Sequence, residues 1–147
     1  MLIYDLNANP LNANEWAFPL TECFHITSFA LSIGTIALVD LRLLGLALKN
    51  QTPGQLVKDT GIWTFAGLVI VIISGLLIFS SDPLRYTYNS GFQYKMLALL
   101  LAIIFNYTIH RKVAMSNPAG MAGKVVGALS LLLWVLVPFG GIWISFV

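Results

Sequence analysis

Leu20–Leu48 reads LTECFHITSFALSIGTIALVDLRLLGLAL, and this stretch decides the fold of the chain. It is apolar enough for a membrane-spanning helix, and at about 1.5 Å per residue it exceeds a hydrocarbon core of roughly 30 Å. It also contains the ionisable side chains Glu22, His25, Asp40 and Arg42. A charge at the membrane centre costs about 2.5 kcal/mol or more, so such side chains usually face protein, water or a cofactor. We therefore predict a spanning helix with a polar inner face.

The composition places the whole chain in the membrane class. Of its 147 residues, 58% are hydrophobic and 10% are charged, and the mean hydropathy is +0.83. Soluble domains carry about 25% charged residues. The net charge of +2 is too small and too dispersed to indicate a nucleic-acid partner. The sequence has no Gly-rich nucleotide loop, zinc-ligand spacing or nucleophile elbow, so we predict neither an enzyme nor a metal site.

Three further apolar stretches follow the first and complete an all-α architecture. Polar, Pro- and Gly-containing turns separate them, and an Asn-rich lead-in covers residues 1–15. We predict one integral membrane domain over residues 1–147, an up-and-down four-helix bundle. Its expected spans are about 20–48, 61–79, 92–110 and 125–147.

The distribution of basic residues predicts the orientation of the bundle. Six lie after the first and third spans (Arg42, Lys49, Lys58, Arg111, Lys112 and Lys124), and two lie on the other side (Arg85 and Lys95). Cytoplasmic loops carry an excess of Lys and Arg. We therefore expect both termini outside the cytoplasm, in a multi-pass protein of the bacterial inner membrane.

One face of the first helix carries a stripe of polar side chains, with Glu22 beside it. At about 100° per residue the stripe contains Thr21, His25, Ser28, Ser32 and Thr35. One interpretation is a haem or metal ligand at His25 with hydroxyls around it. The other is hydrogen bonding between helices, which hydroxyl residues commonly provide in membranes.

A second polar group is expected at the cytoplasmic end of the bundle. Asp40 and Arg42 face one another poorly because they are two residues apart on a helix, and the third span offers Asn106 and His110 at matching depth. We interpret them as a cluster that organises the fold, with Arg42 extending to the interface. The predicted polar cluster comprises Glu22, Asp40, Arg42, Asn106 and His110.

The two histidines raise the question of a b-type haem. The first and third helices of an up-and-down bundle run in the same direction, so His25 and His110 should lie near opposite membrane faces. Two axial ligands must share one depth, which argues against bis-histidine ligation. At the depth of His25 the third span offers Met96, and a His25/Met96 haem site is the remaining arrangement.

Several stretches together resemble a known family. They are FPLTECFH, IGTIALVDLRLLG, WTFAGLVIVIISGLLIFSSDP and FQYKMLALLLAIIFNYTIHRK. In this order they resemble a family of uncharacterised bacterial four-helix membrane proteins over about residues 16–147. That family is similar in layout to the CopD-like copper-resistance domain and to small b-type cytochrome bundles. The motif residues the resemblance implies are Glu22, His25, Gly34, Asp40, Arg42, Gly75, Lys95, Asn106 and His110.

These patterns favour a small non-enzymatic membrane subunit of a larger, respiratory or redox, complex. Its expected partners are the lipid bilayer and either other membrane subunits or further copies of itself. Two glycine-containing faces suit helix packing: Gly67 with Gly75, and Gly120 with Gly123 and Gly127. The alternative is a transmembrane b-type haem electron carrier with His25 as a ligand. A copper or small-solute permease is a third reading, in which Cys23 and the four methionines would supply soft ligands.

Overall fold

The computed structural model describes residues 8–147 and contains seven α-helices and one π-helical segment in that range. The helices are α1 (Pro10–Ala13), α2 (Ala17–Leu43), α3 (Pro53–Ser81), α4 (Pro83–Tyr88), α5 (Ser90–Phe105), α6 (Arg111–Met115) and α7 (Met121–Trp143). The π-helical segment, Asn106–His110, joins α5 to α6 in one continuous rod. The part of the predicted lead-in at residues 1–7 lies outside the described residues.

Four of these rods are long and apolar enough to cross a membrane. We name them the first span (α2), the second span (α3), the third span (Ser90–Met115) and the fourth span (α7). The all-α four-helix bundle predicted from the sequence is confirmed. Large apolar side chains cover the outside of all four spans, as expected for helices that contact lipid.

The first span ends earlier than the predicted limit at residue 48. Its last helical residue is Leu43, and Gly45 adopts a positive φ of 76° that stops the helix. The backbone N–H groups of Leu46 and Ala47 then donate to the carbonyl of Leu41. The apolar residues 44–48 therefore form a turn, because a helix end depends on local backbone geometry and not on hydropathy.

The second span begins earlier than the predicted start at residue 61. Its N-terminus is a capping box, in which the Thr52 side chain accepts from Gln55 N and the Gln55 side chain accepts from Thr52 N. Pro53 occupies the first helical turn, where its missing N–H costs nothing. These capping signals start the helix at Pro53, although the residues up to 60 are more polar than the predicted span.

All four spans contribute side chains to the bundle core. The first span packs along the second and also against the fourth, and the third packs along the fourth. The central apolar cluster consists of Ile36, Leu68, Ala98, Ala102, Trp134 and Val137. Side-chain contacts also join spans one and three, from His25 to Lys95 and from Asp40 to His110.

Candidate functional site

A buried acid–base pair joins the first and third spans. His110 Nε2 lies 2.6 Å from Asp40 Oδ1, and the two side chains are 4% and 0% exposed. Removing two ionisable groups from water is costly, so each requires a well-placed partner. The structure thus brings together two residues that the sequence placed at the same depth.

The π-helical segment positions the third-span member of this pair. Buried residues recur every four positions along the rod, at Ala98, Ala102, Asn106, His110 and Ala114. An α-helix rotates such a series by about 40° at each step, whereas the wider π turn reduces that drift. The widened turn therefore keeps Asn106 and His110 directed into the bundle.

A small cavity adjoins His110. Its volume is about 30 Å³, and its lining includes hydroxyls of the first and second spans together with Asn106 and His110. Those hydroxyl residues are Thr35, Thr60 and Thr64. Gly61 and Arg111 also line the cavity, which therefore extends from the buried His110 to the exposed Arg111.

Three fully buried polar atoms have no hydrogen-bond partner among residues 8–147. They are Asp40 Oδ2, Ser130 Oγ and Trp134 Nε1. Ser130 lies close to the Asp40 carboxylate but outside hydrogen-bond geometry. Native structures contain few such atoms, and each one requires an explanation.

A second polar pair lies at the opposite end of the same two spans. His25 Nδ1 is 2.9 Å from Ser74 Oγ, and Lys95 Nζ is 3.5 Å from His25 Nε2. Ser74 Oγ also donates to the carbonyl of Ile70. These contacts fit a neutral imidazole that donates from Nδ1 to Ser74 and accepts from Lys95 at Nε2.

The His25–Lys95 and Asp40–His110 pairs have the same register between the first and third spans. Each joins residues 70 apart in the sequence, so the same interval separates them on both spans. The interval from residue 25 to residue 40 is about 22 Å along a straight helix. His25 and His110 therefore lie toward opposite ends of the bundle, as the up-and-down topology requires.

Two members of the predicted polar cluster lie elsewhere. Arg42 Nε donates to the carbonyl of Gln51 in the turn after the first span, because the helix rotation directs it away from Asp40. Glu22 is exposed and lies toward the other end of the bundle, where its charge acts on Lys95. The structure pairs Asp40 with His110, and the buried Asn106 lines the cavity beside His110.

The residues do not fit the His25/Met96 haem site. Both ring nitrogens of His25 have partners, and Met96 is 47% exposed on the outside of the third span. Cys23 is exposed as well. Within residues 8–147, no three His, Cys, Asp or Glu side chains lie close enough together to hold a metal ion.

The polar stripe of the first span packs against the second span. Ser32 Oγ donates to the carbonyls of Ser28 and Thr64, and Thr35 Oγ1 lies 2.7 Å from Thr64 Oγ1. Together with the contact from His25 to Ser74, these bonds join the two helices. The stripe therefore supplies hydrogen bonding between helices.

The sequence interpretation missed Ser74, Ser130 and Trp134. A signal was present for Ser130, which continues the row of small residues from Gly123 and Gly127 at helical spacing. No local pattern distinguishes Ser74 or Trp134 from other residues of an apolar span. Their roles depend on which helix lies opposite.

The chain belongs to a family of unknown function, DUF6644, whose model matches residues 17–147. The match covers all four spans and confirms the predicted resemblance to an uncharacterised four-helix membrane family. No curated protein and no solved structure matches the chain.

Proposed function

We propose that this member of the DUF6644 family is a small, non-enzymatic membrane subunit that packs within a larger, respiratory or redox, complex of the bacterial inner membrane. The observation that carries the proposal is an exposed row of small residues on the outer face of the first span. We name this row the small-residue face; it consists of Cys23, Thr27, Ala30 and Gly34.

The small-residue face is shaped for another helix. A Cβ atom added at Gly34 would meet nothing within 4 Å, so the backbone is open to approach from outside the bundle. Ala30 and Gly34 form a small-xxx-small pair, the spacing that lets two membrane helices come close. Large side chains cover the rest of the outer surface, including Phe24, Ile26 and Leu31 on the first span, and these suit lipid.

The glycines that first suggested a partner surface serve a different purpose. Gly67 and Gly75 contact the first span at Ser32 and His25, and Gly123 and Gly127 contact it at Leu43. Gly120 precedes the fourth span in a turn with a φ of 89°. These glycines let the bundle close on itself, so the partner surface we propose is the small-residue face.

The arrangement of ionisable groups favours a subunit over an enzyme. Asp40 faces His110 and His25 faces Lys95 across the interior, and the cavity beside His110 has a volume of about 30 Å³. Sites for metabolites are usually about 300–1,000 Å³. Ionisable residues inside membranes mark proton relays, which is why we propose a respiratory or redox setting.

The test is purification of the tagged chain from its own membrane in a mild detergent, followed by native mass spectrometry. We expect an assembly larger than the monomer that contains subunits with redox cofactors. Gly34→Trp should release the chain from the assembly, whereas Ile73→Trp, at a 56% exposed site on the second span, should not. A wild-type chain that purifies as a lone monomer would overturn the proposal. Equal loss with both variants would overturn the assignment of the small-residue face.

A further inference from the structure

Three independent features meet at His110. It pairs with the fully buried Asp40, it is the last residue of the π-helical segment, and it lines a polar cavity. Single π turns inside α-helices occur frequently at functional sites. Holding one open requires compensation from the surrounding packing, so the combination calls for a role beyond fold organisation.

The cavity has the size and lining of a water site. A cavity needs about 10–15 Å³ of probe-occupied volume to hold one water, and this one has about 30 Å³. A stable internal water also needs polar partners. Three threonine hydroxyls, the Asn106 amide and the His110 ring provide them.

We propose that Asp40 and His110 form a buried proton-binding site that exchanges protons with water at the Arg111 end of the bundle through the cavity between the first three spans. The ligand class is the hydrated proton. The proposal concerns the isolated chain, so it does not depend on assembly into a complex.

The geometry defines the transfer. His110 Nε2 lies 2.6 Å from Asp40 Oδ1, and in the proposed resting state the ring donates from Nε2–H to an ionised carboxylate. A hydronium in the cavity protonates Nδ1 of the ring, and the Nε2 proton then passes to Oδ1. One O–H bond of the hydronium breaks as the Nδ1–H bond forms, the Nε2–H bond breaks as the Oδ1–H bond forms, and one water remains. The products are a neutral carboxylic acid and a neutral imidazole of the opposite tautomer, so charge and atoms balance.

The unpartnered atoms nearby are consistent with a carboxyl group that changes its charge. Asp40 Oδ2 and the neighbouring Ser130 Oγ are buried, and neither has a hydrogen-bond partner among the described residues. A carboxylate locked permanently in its ionised state would be expected to occupy both oxygens. The other titratable or charged residues that line the cavity are Tyr107 and Arg111, and both lie on the third span.

The first experiment uses the single chain in lipid nanodiscs and infrared difference spectroscopy on stepping the pH between about 6 and 9, a range in which ordinary carboxyl groups stay ionised. We expect a protonated carboxyl band that shifts in D₂O. The band should vanish in Asp40→Asn and persist in Asp59→Asn, an exposed control. A wild-type spectrum without such a band, or a band that survives in Asp40→Asn, would overturn the proposal.

The second experiment tests the route and uses variants that keep the buried pair. Gly61 lines the cavity, and a Cβ there meets nothing within 4 Å. Gly61→Leu can therefore extend into the cavity without a backbone clash. We expect it to slow deuterium exchange at the Asp40 carboxyl by about tenfold, the factor for one net hydrogen bond. Gly34→Leu, also open but on the outer face of the first span, should leave the rate unchanged. Equal rates in both variants would show that the cavity is not the path.

Discussion

At the scale of single residues, the protein resolves the cost of ionisable groups in a membrane by pairing them across the bundle. Asp40 and His110 are both almost completely buried, so neither can use water as a partner. Removing one member of a buried pair strands the other, at a cost of about 3–5 kcal/mol. The His25–Lys95 pair is more exposed than the Asp40–His110 pair, so its loss should be less severe.

The residue-scale prediction is a contrast between two double-mutant cycles. Asp40→Ala and His110→Ala should show a coupling of about 0.5–3 kcal/mol in the free energy of unfolding, because each variant removes the same contact. His25→Ala and His110→Ala share no partner, so their coupling should stay within about 0.5 kcal/mol. Reversible unfolding in mixed micelles measures both cycles. Strong coupling between the two histidines would contradict their placement at opposite ends.

At the scale of helices, small residues determine how closely the spans approach. Gly67 lies directly against Ser32 and within 3.0 Å of the Ser28 carbonyl, measured from an added Cβ. Gly127 stands in the same relation to the Asp40 carbonyl, also at 3.0 Å. Because lipid supplies no hydrophobic force between helices, such close packing and interhelical hydrogen bonds hold the bundle together.

The helix-scale prediction is that Gly67→Ala destabilises the bundle by about 1–3 kcal/mol, the usual cost of overpacking. The added methyl would displace the Ser32 hydroxyl, which donates to the carbonyls of Ser28 and Thr64. The matched variant Gly61→Ala meets open space on the same helix and should be neutral or stabilising by up to about 1 kcal/mol. Unfolding curves of the two variants give the comparison. Equal destabilisation would mean that general helix effects, not the contact with the first span, set the cost.

At the scale of the whole molecule, hydrogen bonds join segments distant in sequence at each of the two ends of the bundle. Asn9 and Asn12 donate to the carbonyls of Ser80 and Ser81, and Asn89 donates to that of Val147. At the other end, Gly54 N in the first turn of the second span donates to Asn117 Oδ1 in the turn between the third and fourth spans. The described start of the chain and its last residue therefore share one end of the bundle.

The whole-molecule prediction concerns the direction of these ends in the membrane. Lys95 is turned inward against His25, so Arg85 is the basic residue that remains between the second and third spans. The other six basic residues lie at the opposite end of the bundle. By the positive-inside rule, Asn50→Cys should react with a membrane-impermeant thiol reagent only after the cytoplasmic side is opened, and Thr87→Cys should react from outside. Both positions are exposed, and native Cys23 is replaced by Ala in each variant. Labelling of both cysteines from one side would contradict the four-span topology.

The sequence by itself determined that the chain is a four-span helical membrane protein. Apolar runs of spanning length are separated by Pro- and Gly-containing turns, and hydropathy acts locally, so no knowledge of neighbouring helices is needed. The position of each residue along its span also placed His110 at the depth of Asp40 and far from His25. Exact helix ends were missed at Leu43 and Pro53, because caps and a positive φ decide them.

Only the tertiary structure decided which polar residues meet. The π turn at Asn106–His110 leaves no signature in hydropathy, yet it directs both side chains inward. Glu22 and Arg42 share the charged character of Asp40, but rotation and depth separate them from it. Ser130 and Ser74 become partners or neighbours of the buried pairs through packing between helices distant in sequence. Contacts of this kind depend on which faces oppose one another, a property that the periodicity of a single helix does not contain.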